Sequence, residues 1–362
     1  MGWMNVLIET YDNYFNGTEF SDDAHPLVPV GFIEKKVGIR VRINRDASFH
    51  SASLTSDNEL LCIPSDPSAE SRTGQVLPYP LCDEIRYTAG DLSEYSNENY
   101  SEYFDKYFCN LSRWCDGDEP VEELLILRKY LQNRSLVSDI LSYGEVKKDK
   151  DGLLPSKYLK IFVDFCVYTD SEYTSLSKLK SVRASWHRRY SAMMSNSGLC
   201  YSSGIIEPVL SNHAKIEGNA KLISAKDGPR PFQYKGRFTD AEQACTIGYS
   251  SSAKAHNTIR WLRNRQGYHK YGSTFITWNT NCRTVVSPQD GFDDDETVDI
   301  IDTEEVYSQK IRNTLTGYMK SPEFKNNPQI AMLGMESVTP GRMSINFYEE
   351  FDGRTYLENL SR

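Results

Sequence analysis

Lys215, Lys221, Arg230, Lys235 and Arg237 stand in one short stretch with Phe232 and Tyr234, punctuated by Gly218, Gly228 and Gly236. Cations bind phosphate, aromatic faces stack on bases, and glycine lets a backbone come close, so this mixture suits a nucleic-acid surface. The whole chain is acidic, with a formal net charge of −9. That excess sits in one place: Asp290 to Glu305 holds nine acids and no base, whereas Ile205 to Lys270 holds eleven Lys or Arg against five acids. Screening confines each field to about 8–10 Å, so a local positive surface still attracts phosphate. Lys254 belongs to the same basic, aromatic patch, which spans 205–270.

Reactive constellations are scarce. The sequence carries no phosphate loop, dinucleotide fingerprint, nucleophile elbow or His-Glu-x-x-His. Asp293-Asp294-Asp295-Glu296 offers consecutive carboxylates, without the spaced ligands of a calcium loop or a two-metal site. Cys200 and His213 are the types of a nucleophile–base pair, but nothing in their spacing brings them together. The expectation is a protein that is not an enzyme, with no catalytic residue, metal or cofactor. A cysteine- or metal-dependent hydrolase is the alternative on that side, and a protein–protein scaffold is the rival among binding proteins.

Eight cysteines lie far apart with no Cys-x-x-Cys pair, which reads as reduced thiols rather than a zinc module or disulfide framework. No apolar run approaches the roughly 18–20 residues that span a bilayer. Met1 to Thr10 lacks a secretory pattern. The expectation is a cytoplasmic protein with no membrane contact.

The elements that must position these residues follow from periodicity. Trp3, Leu7, Tyr11, Tyr14 and Phe15 predict an opening helix. Ile39, Val41 and Ile43 alternate with Arg40, Arg42 and Asn44 as a half-exposed strand. Pro64 to Pro80 is irregular, rich in Ser, Pro and Gly, and long for a structureless loop. Helices are expected over Asn99–Cys115 and Val121–Leu141. Leu159 to Val167 alternates as a strand, and Leu179, Val182, Trp186 and Tyr190 mark a helix. Beyond the serine run a basic helix is expected from Ala253 to Arg265. A strand over Thr274–Trp278, a helix along Tyr307–Tyr318, and strands over Ile330–Leu333 and Met343–Tyr348 complete the reading. The fold class is α+β, mixed helices and short, mainly antiparallel sheets with many loops. Tyr143 to Pro155 is a polar linker, placing a boundary near 150 between parts 1–150 and 151–362.

At these residues the sequence resembles a family, the large subunit of the type I-C CRISPR Cascade, an RNA-guided DNA surveillance complex. The resemblance rests on Leu7-Ile8-Glu9-Thr10-Tyr11-Asp12, Ile63-Pro64, Ser71-Arg72-Thr73-Gly74-Gln75, Pro80-Leu81-Cys82-Asp83-Glu84 and Tyr87-Thr88-Ala89-Gly90. It continues through Gly198-Leu199-Cys200, His213-Ala214-Lys215-Ile216-Glu217-Gly218, Leu222-Ile223-Ser224, Pro231-Phe232-Gln233-Tyr234-Lys235-Gly236 and Ala253 with His256-Asn257. It ends in Leu333-Gly334-Met335 and Gly341-Arg342-Met343-Ser344-Ile345-Asn346-Phe347-Tyr348.

The resemblance implies a subunit without catalysis that recognises the protospacer-adjacent motif in double-stranded target DNA. It also implies help in opening the duplex and in recruiting a helicase-nuclease. The partners would be the guide RNA ribonucleoprotein and other Cascade subunits, guide pairing reading the rest of the sequence. On that reading Arg72, Thr73, Gly74, Gln75 and Tyr79, in the loop 64–80, read the motif. Lys215, Lys221, Arg230, Lys235, Arg237 and Lys254 hold phosphates. Tyr79 stands where the family leads one to expect a polar residue. The family's C-terminal helical bundle is expected to be absent.

Overall fold

The computed structural model describes residues 2–16, 26–56, 59–72, 75–117, 119–193, 197–209, 213–223, 237–270, 272–282 and 329–360. Its architecture is α+β. The acidic stretch 290–305, the helix expected along 307–318, and Thr73, Gly74, Arg230 and Lys235 lie outside the described residues. The chain forms two compact units, one of Val28–Asn196 and one of Met1–Leu27 with Ser197–Arg362.

Helix α1 (Trp3–Asn16) belongs to the second of these and buries Met4, Val6, Leu7, Thr10, Tyr11 and Tyr14, the face its apolar spacing dictates.

The Val28–Asn196 unit is organised by β1 (Phe32–Ile43). Its residues Val37, Ile39, Val41 and Ile43 face the core, while Arg40 and Arg42 alternate onto the other face. Strands β2 (Phe49–Leu54) and β3 (Leu60–Pro64) pair antiparallel with successive parts of β1. Short helix α2 (Pro67–Ser71) starts where Asp66 caps it, accepting from the Ser68 and Ala69 amides. This helix occupies part of a stretch expected to be irregular.

A single turn, α3 (Ile85–Thr88), precedes α4 (Ser101–Cys115). The long helix expected over Val121–Leu141 is two helices, α5 (Glu122–Gln132) and α6 (Leu136–Tyr143). Arg134 breaks it with φ +50°, and the Asp91 carboxylate accepts from the Val137 and Ser138 amides, restarting the helix from outside its own sequence.

Strand β4 (Phe162–Thr169) lies parallel to β1, with Val41 opposite Phe165, and β5 (Glu172–Ser175) closes that edge. Residues on both sides of 150 therefore share one sheet, and the stretch Tyr143–Pro155 lies within the unit rather than between units. Val163 to Val167 are buried without interruption, because β4 is covered on both faces. Helix α7 (Lys180–Met193) buries Val182, Trp186 and Tyr190, and the Trp186 indole donates to the Gly31 carbonyl at 2.6 Å.

In the other unit, a small hairpin joins β6 (Ser197–Leu199) to β7 (Ile206–Pro208). Short α8 (Ala241–Ala244) precedes α9 (Tyr249–Gln266). The expected start of α9 at Ala253 was four residues late: Ser250, Ser251 and Ser252 belong to its first turn. Strands β8 (Tyr268–Lys270), β9 (Ser273–Asn279), β10 (Gln329–Thr339) and β11 (Arg342–Asp352) form an antiparallel sheet in the order β11-β10-β9-β8. Helix α10 (Gly353–Leu360) follows. Helix α9 packs on α1, where Tyr14 meets Trp261 edge-on at 5.3 Å, and the Trp278 indole donates to the Thr10 hydroxyl at 3.0 Å. No helix among the described residues is long and apolar enough to cross a membrane.

Candidate nucleic-acid interface

Arg72 follows α2 directly, and its guanidinium is fully occupied within its own unit. Its two terminal nitrogens donate to the two oxygens of Asp83 at 2.8 and 2.9 Å, one also reaching the Leu77 carbonyl at 3.1 Å. The Glu84 carboxylate stands 3.4 Å away. Its guanidinium carbon lies 4.6 Å from the ring centroids of both Tyr79 and Tyr87. Asp83, wholly buried, also accepts from the Tyr79 and Glu84 amides at 2.7 and 2.8 Å.

This is a clamp that closes the loop 72–83, with planar bidentate pairing that only arginine supplies. Arg72 and Tyr79 therefore do not project toward a base edge: one is tied to a buried carboxylate and the other is 3% exposed. Among the described residues of the five, Gln75 is the exposed one.

The partners Asp83 and Tyr87 escaped assignment, although both lie in the quoted motifs. A carboxylate eleven positions from an arginine gives no periodic signal. The one available hint was composition: an acid flanked by Leu81, Cys82 and Ile85 in an apolar run must find a cation.

The basic region of the other unit is partly assembled. Ile216 donates to the Ala220 carbonyl at 2.8 Å, closing a tight turn with Gly218 at φ +52° and Lys215 and Lys221 at its two ends. Arg260 of α9 donates to the Lys215 carbonyl at 2.8 Å, and Arg263 pairs with Glu217. The Lys221 backbone exchanges bonds with the β10–β11 turn at Gly341 and Met343. Four cations thus gather about one turn. Lys254 faces α1, its ammonium 2.6 Å from an Asp12 oxygen. Arg237 is exposed, its guanidinium 5.2 Å from the Phe238 ring.

Beneath the turn lie two buried imidazoles. His213 Nδ1 is 2.8 Å from the Ser252 hydroxyl, and His256 Nδ1 is 2.7 Å from the Ser252 carbonyl. Burial pushes His213 down to about 3 and His256 down to about 4, with Lys221 repelling a further charge on either. Both rings are therefore neutral. Cys200, also buried, has the Ser202 hydroxyl 3.8 Å from its sulfur. The described contacts join His213 to Ser252 and do not join it to Cys200. No group of three His, Cys, Asp or Glu side chains among the described residues is placed to hold a metal.

Glu207 of β7 stands at the start of α9 and accepts from the Ser251 and Ser203 hydroxyls at 2.7 and 3.0 Å. A negative group there complements the helix dipole. A Cβ on Gly248 would fall 1.8 Å from the Glu207 carboxyl carbon. Gly248→Ala is expected to destabilise the protein by about 1–3 kcal/mol through this overlap. Thermal unfolding checks it, and an unchanged melting temperature would show that Glu207 yields without loss.

The fold defines the class, an α+β protein of two sheet-centred units, one bearing a clamped loop and the other a cationic turn. The chain belongs to the CRISPR-associated protein (Cas_Csd1) family, whose model matches residues 7–362. That membership implies work alongside other CRISPR-associated proteins. Comparison with curated proteins gives no match.

Proposed function

We propose that this chain is the non-catalytic large subunit of a type I-C RNA-guided surveillance complex. In this reading it recognises the protospacer-adjacent motif in double-stranded DNA, aids opening of the duplex and helps recruit the helicase-nuclease. The observation that carries the proposal is the family match across 7–362, over a sequence whose quoted motifs, touching most of the chain, resemble that subunit. The geometry supports a division of labour. Arg72 positions the loop, Gln75 meets base edges, and Lys215, Lys221 and Arg237 supply phosphate contacts that carry little sequence information.

The test is binding of the assembled complex to duplexes that differ only in the base pairs beside the guide-matched segment. Gln75→Ala is expected to shrink the preference for the correct motif about 5- to 160-fold, the range of one good base contact. An unchanged preference would remove Gln75 from the reading role. Arg237→Ala is expected instead to weaken all duplexes alike and to flatten the salt slope by about one unit.

One observation favours a second reading, a scaffold subunit without direct DNA contact. The β6–β7 hairpin exposes Leu199, Tyr201, Ile205 and Ile206 together, the last at 77%. Such a patch suits a protein partner. The scaffold reading alone expects motif preference to survive every substitution on this chain.

A further inference from the structure

We propose that the open end of the five-stranded sheet in the Val28–Asn196 unit, where His50, Tyr168 and Tyr173 meet, is a stacking platform for single-stranded nucleic acid. It goes beyond duplex motif reading and uses none of the residues assigned to it.

The face is set by strand alternation. Ile39, Val41, Ile43, Val163, Phe165 and Val167 point to the core, so Arg40, Arg42, Asp164, Cys166 and Tyr168 point the other way. One end of that face is closed, since Asp164 is buried between Arg40 and the Ser175 hydroxyl. The other end is open and aromatic. Tyr173 of β5 reaches across to the β1–β2 turn and donates its hydroxyl to Asn44 at 2.7 Å. Its ring stacks on His50 at 4.6 Å and 21°, and meets Tyr168 edge-on at 5.1 Å.

His50 and Tyr168 are exposed, Tyr168 at 37%. The bond to Asn44 holds Tyr173 in one orientation, with His50 and Tyr168 packed against it, which lowers the entropy lost when a base stacks.

Cations frame the rings. Arg45 is exposed and donates to the Tyr168 carbonyl at 3.1 Å, and Arg42 donates to the Ser53 hydroxyl at 3.1 Å. Among the described residues neither has a carboxylate partner, so both charges are available to phosphate. The nearby acids are Asp46, which accepts from the Ser48 amide and hydroxyl within the β1–β2 turn, and Asp170 and Glu172 at the β4–β5 turn. Ring faces for bases beside guanidiniums for phosphates are the two requirements of a sequence-tolerant strand site. A duplex hides its bases and cannot use the rings, so the ligand class is single-stranded.

The test uses the full-length protein and fluorescent oligomers of about 12 nucleotides, one of deoxythymidine and one of uridine, read by polarisation. Wild type is expected to bind at low salt, the tighter oligomer telling whether a DNA or an RNA strand is the natural source. Tyr168→Ala with His50→Ala is expected to weaken binding about tenfold or more, since each stacked base contributes roughly 1–3 kcal/mol. Tyr168→Phe keeps the ring and is expected to retain affinity, and Arg45→Ala to lower the salt slope by less than about one unit, as for a single-strand phosphate contact. Both sites are exposed, and an unchanged melting temperature confirms that the variants fold. Absence of binding by wild type, or equal binding by the double alanine variant, would overturn the proposal.

Discussion

Arg72→Ala is expected to cost about 3–5 kcal/mol of stability, the loss typical when one partner of a buried ion pair is removed. Asp83 is wholly buried and keeps only its two backbone donors once the guanidinium is gone. The rings of Tyr79 and Tyr87 lose the cation between them at the same time. Arg72→Lys is expected to recover only part of the loss, because an ammonium is a point charge that cannot bridge both carboxylate oxygens.

Hydrogen exchange across residues 66–88, together with a urea titration, reads the effect locally and globally. A loss below about 1 kcal/mol would mean that the pair behaves like an exposed one and that the clamp does not organise the loop. The consequence for function is practical. Any loss of DNA binding in Arg72→Ala reports a disordered loop as much as a missing contact, whereas Gln75→Ala separates the two.

Acid is expected to destabilise the unit that holds His213 and His256, beginning well above the range in which carboxylates titrate. An imidazole in an unfolded chain has a pKa near 6.5, while the folded values are about 3 and about 4. The folded state therefore refuses protons that the unfolded state accepts. The stabilisation is intact above about pH 6.5 and falls away as pH drops toward 4, by about 1.4 kcal/mol per imidazole per pH unit.

The groups facing the pair reinforce this direction, since Lys221 and Arg260 are cations and Ser252 is neutral. The His256 Nε2 is buried and lacks a partner among the described residues, so a proton there would find no acceptor. Urea midpoints measured across this range are expected to fall steeply below about pH 6.5 in wild type. They should fall much less in His213→Asn with His256→Gln. Equal slopes in both proteins would show that other groups govern the response.

The sequence disclosed what is local. Trp3 to Phe15, Leu179 to Tyr190 and Thr274 to Trp278 were legible because burial on one face leaves a period in the residues themselves. Strand β1 was legible only from Ile39, since Phe32 to Lys36 pairs with β3 and carries two lysines and a glutamate that mask the alternation.

What escaped was non-local. The pairing of β1 with β4 joins residues more than a hundred positions apart and moves the unit boundary away from 150. The break at Arg134 depends on Asp91, and the early start of α9 on Glu207, each a carboxylate from another segment satisfying helix amides or hydroxyls.

The candidate site followed the same rule. The resemblance identified Arg72 as notable but could not tell a guanidinium aimed at DNA from one closing a loop, because the difference lies in Asp83. Lys254 was read as a phosphate contact for the same reason, its Asp12 partner being distant in sequence. The platform of His50, Tyr168 and Tyr173 draws one ring from each of three strands and has no signature in any single stretch.

The central claim is that this chain gives its complex sensitivity to the motif beside the target. The direct measurement is selection from a duplex library with randomised base pairs next to a guide-matched segment, using complexes assembled with and without this chain. The expected result is strong enrichment of a short motif only when the chain is present. Equal enrichment in its absence, or none in its presence, would contradict it.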